Sequence, residues 1–171
     1  MVSNTATAIF CVALITIIIF IIRSLKVGKL DLLHKLYLWM AAAYGIWITA
    51  LIIMRFTDPT NINALFALDA WTNGAGTFLP ALFLCIAMSF VRGWEKMPKK
   101  MWLVFVIPVV TNVVVWTNPI HHLQYKVFSI VSSEMVLGPF VVVTGVHSCL
   151  CQLVSLVLLI NFVRHNPRQL Y

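Results

Sequence analysis

Charge is what this sequence has least of. Only 10% of its 171 residues are Asp, Glu, Lys or Arg, and just 5 are acidic, against about 25% charged in an ordinary soluble domain. Hydrophobic residues make up 61%. A soluble globule of this length cannot bury that much apolar side chain, because the fraction of surface it hides is limited by its size. A bilayer removes the limit, so the sequence specifies an integral membrane protein. The 12 Lys and Arg give a net charge of +7, yet they form no basic stripe with interleaved aromatics, which excludes a nucleic-acid partner. Cysteine is also scarce: Cys11, Cys85, Cys149 and Cys151 all lie inside apolar runs, where a free thiol acts as a small hydrophobe, and they make no disulfide framework. His147 and Cys151 share a helix face at i, i+4, but no four-ligand set accompanies them, so neither a metal nor any other cofactor is expected. There is no Gly-rich nucleotide loop, internal repeat or low-complexity linker. Residues 1–171 read as a single domain.

Also missing is the period-two alternation of a barrel strand. The apolar runs are continuous, and in lipid only a helix satisfies such a segment's own backbone. A span needs about 20 apolar residues. Five candidates cover approximately 5–22, 32–54, 69–91, 101–118 and 140–163, so the expected fold class is all-α, an integral membrane bundle of about five transmembrane helices. No cation precedes "AIFCVALITIIIFII" at 8–22 and no small-x-small site follows it, so this run reads as a retained span rather than a leader. Arg23, Lys26, Lys29, Lys35, Arg92, Lys96, Lys99, Lys100, Arg164 and Arg168 fall on one side of the bundle, and Arg55 and Lys126 on the other. Positive charge marks the cytoplasmic side, which predicts an outside N-terminus, a cytoplasmic C-terminus and a multi-pass protein of the cell membrane. The segment "DPTNINALFAL" at 58–68 opens with a turn signal and reads as an interfacial helix leading into the third span, capped by Asp58 or Asn61.

Polar residues inside spans face protein or a wet cavity rather than lipid. In the third span Asp69, Asn73, Gly76, Thr77 and Pro80 lie on one helix face. In the fifth, Thr144, His147, Ser148 and Cys151 repeat at i, i+3, i+4 and i+7, flanked by Gln152 and Ser155. Thr111 and Asn112 stand near the outer end of the fourth. The turn "WTNPIHHLQY" at 116–125 puts Asn118, His121, His122 and Gln124 on the outer side. These polar faces share the outer half of the membrane and predict an outward-facing pocket. Its candidate ligand-binding residues are Asp69, Asn73, Asn112, His121, His122, His147, Ser148 and Gln152. Pro80 and Pro108, both inside spans, predict kinks.

"FLPALFLCIAMSFVRGWEK", "IPVVTNVVVWTNPIHHLQY" and "GPFVVVTGVHSCLCQLVSLVLL", in that order, resemble the N-terminal seven-transmembrane sensor region of bacterial histidine kinases, which also precedes diguanylate cyclase modules. The resemblance covers roughly 5–165, with five spans in place of seven. It implies a membrane-embedded sensory module that detects an extracytoplasmic or membrane-dissolved small ligand and signals to a cytoplasmic kinase or cyclase output module. The expected partners are the lipid bilayer, an unknown small ligand, that output module and a second copy in a homodimer. No nucleophile–base pair or nucleotide motif is present, so the chain is not expected to be an enzyme and no catalytic residue is assigned. The alternative is a small transporter or accessory membrane subunit, whose usual internal repeat and midplane charges the sequence lacks.

Overall fold

The computed structural model describes residues 4–26, 30–129, 131 and 133–166. Two of the cations counted above, Lys29 and Arg168, lie outside the described residues. Five helical segments are long and apolar enough to cross a membrane. They comprise α1 (Asn4–Leu25), α2 (Leu32–Phe56), α3 (Ile62–Arg92), a 3₁₀ turn (Lys99–Phe105) continuing as α4 (Val106–Trp116), and α6 (Phe140–His165). Between α4 and α6 lie the single turn α5 (Asn118–His121) and two short strands, β1 (Tyr125–Val127) and β2 (Val136–Leu137), paired antiparallel. The sequence reading had no strands there.

The third helix begins at Ile62 rather than at 69. The Asn61 side chain accepts from the Ala64 N–H at 3.1 Å and caps it. Asp58 instead closes the preceding turn on the Thr60 N–H and hydroxyl, at 2.8 and 2.7 Å. Those two bonds hold its carboxyl below the usual carboxylate range. The predicted interfacial segment and the third span are therefore one helix of 31 residues. The fourth span also differs from expectation. Pro108 stands in the first turn of α4, and the chain before it is wound as a 3₁₀ helix.

α3 is the centre of the bundle. It packs on α2, α4 and α6, while α1 packs on α2. In α3's most apolar stretch 56% of residues are buried, and in α1's none are. A helix that is apolar all round and uncovered is one that faces lipid. Leu36 and Ala43 of α2 meet Leu82, Cys85 and Ile86 of α3 in the main apolar cluster, with Met101 and Phe105 of the 3₁₀ turn packed against it. This cluster occupies the end of the bundle that carries the 92–99 connection, here the basic end. The opposite, loop end carries the 57–61 turn and the 117–139 connection.

Candidate functional site

The polar turn after α4 satisfies most of its own hydrogen bonds. Asn118, 4% exposed, accepts from the backbone N–H groups of Gln124 and Tyr125 at 2.8 and 2.9 Å, and donates to the Tyr125 carbonyl at 3.0 Å. His121 accepts the Leu123 N–H on Nδ1 at 3.0 Å. The proton therefore sits on Nε2, which donates to Thr117 Oγ1 at 2.9 Å, and Thr117 in turn donates to the Val113 carbonyl. His122 takes the left-handed conformation, φ 55°, that ends α5. Gly138 is required by close approach: a Cβ there would strike the Leu123 carbonyl, while its N–H bonds the Gln124 carbonyl at 2.8 Å.

This folded turn delivers Tyr125 to α3. Its hydroxyl donates to Asp69 Oδ2 at 2.7 Å. The Asn73 amide donates to the same hydroxyl at 2.9 Å, to Asp69 Oδ2 at 3.1 Å and to the Asp69 carbonyl at 3.0 Å. All three neighbours are acceptors toward Asn73, which fixes the amide nitrogen on this side and turns the amide oxygen away. Tyr125 is 4% exposed. Burial, with the Asp69 carboxylate beside it, pushes its phenol above the ordinary tyrosine range. Phe128 packs edge-on to Tyr125 and to Phe66 of α3, 5.5 and 5.3 Å between ring centres.

A second set of polar contacts holds α4 to its neighbours. Pro108 lacks the N–H that would bond the carbonyl four residues back, that of Val104. His147 of α6 supplies the missing donor, with Nε2 3.0 Å from that oxygen. Cys151 Sγ lies 3.6 Å from the same nitrogen. Thr111 and Thr144 hydroxyls meet 3.3 Å apart across α4 and α6. Asn112 donates to the carbonyls of Pro108 and Gly74, at 3.0 and 3.3 Å. A Cβ on Gly74 would lie 2.5 Å from Asn112 Oδ1, so a larger residue there would push the Asn112 amide out of its present position between the two helices.

On the other side of α3 a groove of about 390 Å³ opens between α2 and α6. Tyr44 and Trp47 of α2 form one wall, with ring centres 6.2 Å apart. Ser148 and Gln152 of α6 form the other, and the floor is α3 from Thr72 to Pro80.

A family described as the N-terminal 7TM region of histidine kinase matches residues 5–171. The chain belongs to this family. No curated protein and no solved structure matches the chain. In this histidine-kinase 7TM region, a membrane-embedded sensor portion rather than a catalytic one, the eight candidate residues divide between the four places just described. Asn73, Ser148 and Gln152 line the groove. Asp69 lies in the clasp with Tyr125, and Asn73 belongs to both. Asn112 and His147 tie α4 to α3 and α6, and His121 and His122 shape the loop turn. Sequence reasoning missed Tyr125, Tyr44, Trp47 and Asn118 as site residues. The aromatic Tyr125 directly after the polar turn was the available signal for the clasp. For Tyr44 and Trp47 the signal was an aromatic pair three residues apart in the middle of a span, away from the interfaces where such side chains concentrate. Among the described residues no three His, Cys, Asp or Glu side chains stand together as a metal site.

Proposed function

We propose that the 7TM region is a sensory module of the cell membrane with its loop end outside and its basic end in the cytoplasm. It binds a small ligand in the groove and reports occupancy to a histidine kinase or cyclase output module. The orientation rests on the cations: among the described residues Arg23, Lys26, Lys35, Arg92, Lys96, Lys99, Lys100 and Arg164 belong to the basic end, and Arg55 and Lys126 to the loop end.

The observation that carries the reading is the position of Asn73. Its amide nitrogen is committed to the Asp69–Tyr125 clasp, while the residue also forms part of the groove floor. A ligand that pulls on Asn73 competes with the bonds holding the outer loop to α3. It thereby favours one of two arrangements of α3, the helix that runs to the basic end. A ligand shifts such an equilibrium only by its differential affinity for the two arrangements, and Asn73 supplies the difference.

The test is a fusion of this chain to the catalytic half of a histidine kinase, assayed in native membranes. Asn73→Leu and Tyr125→Phe each open the clasp and are expected to change basal autophosphorylation in the same direction. Autophosphorylation unmoved by either substitution, with membrane insertion intact, would overturn the reading.

A further inference from the structure

The groove holds hydrogen-bonding groups that the protein leaves unused. Among the described residues the Tyr44 hydroxyl, the Trp47 indole N–H, the Ser148 hydroxyl and the Gln152 amide make no hydrogen bond. A fifth group is a backbone acceptor. Pro80 has no N–H for the carbonyl four residues back, that of Gly76, and Gly76 lines the groove. The equivalent vacancy made by Pro108 is filled by His147; no side chain fills this one. Within a bilayer an unmade hydrogen bond is costly, and polar groups there face a cavity or a partner. Open space at the site is real: a Cβ built on Gly76 meets nothing within 4 Å.

The groove also lacks charge. No Asp, Glu, Lys, Arg or His lines it, and the Asp69 carboxylate is turned into the clasp with Tyr125. An ion placed there would be stripped of water without a counter-charge. The aromatic wall of Tyr44 and Trp47, with Leu79 and Pro80, suits an apolar body instead. The volume falls in the range of small-molecule sites, about 300–1,000 Å³. We propose that the groove takes an uncharged amphiphile from the lipid phase, with a hydroxyl or amide head on Asn73, Gln152, Ser148 and the Gly76 carbonyl and an apolar chain against Trp47 and Leu79. This deepens the sensory reading and rests on it for what binding achieves, though binding itself stands apart.

The experiment uses the whole chain in lipid nanodiscs and a diazirine-bearing decanol as the photoprobe. Labelling is expected on the groove segments of α2, α3 and α6, competed by decanamide and not by decanoate, decylammonium or decane. Gly76→Leu fills the open space with a better helix former and abolishes labelling. Gln152→Leu weakens it about tenfold, the size of one lost hydrogen bond. Helix content and monodispersity of both variants show that the bundle is intact. Labelling spread evenly onto α1, equal competition by decanoate, or insensitivity to Gly76→Leu would each overturn the proposal. So would cross-links that place Gln152 against a second copy of the chain. Groove labelling with the kinase fusion unresponsive to decanamide leaves the ligand class standing and sinks the sensory reading alone.

Discussion

Tyr125 anchors a loop of more than twenty residues through one oxygen atom. Its phenol both donates to Asp69 and accepts from Asn73, so Tyr125→Phe removes two bonds and leaves a carboxylate with a single side-chain partner. The expected loss is about 1–2 kcal/mol, read from unfolding in a detergent titration. The clasp also has an alkaline limit. Because the folded-state phenol titrates above its ordinary value of about 10, its contribution is complete below that pH and is lost as pH rises from there toward the folded value. A difference titration at the tyrosinate absorbance band, wild type against Tyr125→Phe, should show one phenol ionising above the ordinary range. If that phenol ionised with free tyrosine, the buried clasp would be wrong. None of this was legible as a pairing. Asp69 and Asn73 stood out by their spacing on one helix face, but Tyr125 is 56 residues from Asp69, and only the folded turn around Asn118 brings it there.

At the scale of elements, the spans were readable because hydropathy and backbone satisfaction leave lipid-exposed segments little choice. Their starts were less so. Asp69 looked like the beginning of the third span because it is the first costly residue a hydropathy reading meets. The helix actually starts where Asn61 caps it, since a cap is decided by one side-chain oxygen rather than by average polarity. Pro108 and His147 were each visible as oddities, but their relation runs through a backbone carbonyl that no side-chain pattern displays. That relation is testable. His147→Ala should cost about 1 kcal/mol in the wild-type background, within the range of interhelical hydrogen bonds in membranes. In a Pro108→Ala background, where Val104 regains its own helical donor, the cost should shrink to a few tenths. Additive effects would show that the histidine acts some other way. Gly138→Ala should disrupt the loop more than any helix, because the added methyl meets the Leu123 carbonyl. A loss of about 1–3 kcal/mol is expected, with protease cleavage confined to the 117–139 connection as the readout.

For the whole molecule, composition carried the membrane assignment and cation placement the expected orientation, both from averages over many residues, while the family rested on three ordered segments around Pro80, the 117–122 turn and the entry to α6. The groove needed three helices at once, which no single span's pattern contains: Ser148 and Gln152 were visible on α6, while their opposite wall on α2 gave no polar warning. Orientation is the property on which the outer loop's role depends. A fluorescent protein fused after Asn166 should be bright, and alkaline phosphatase inserted in the 117–139 connection should be active. The reverse pattern would turn the bundle over and place the clasp in the cytoplasm.

The central helix is also a ruler. At 1.5 Å per residue its 31 residues reach about 46 Å, while hydrocarbon and headgroups together measure about 40–45 Å. A bilayer that thins obliges α3 to lean, and the loop riding on its upper turns through Tyr125 must lean with it. Membrane thickness would therefore bear on the same joint at which the proposed ligand acts.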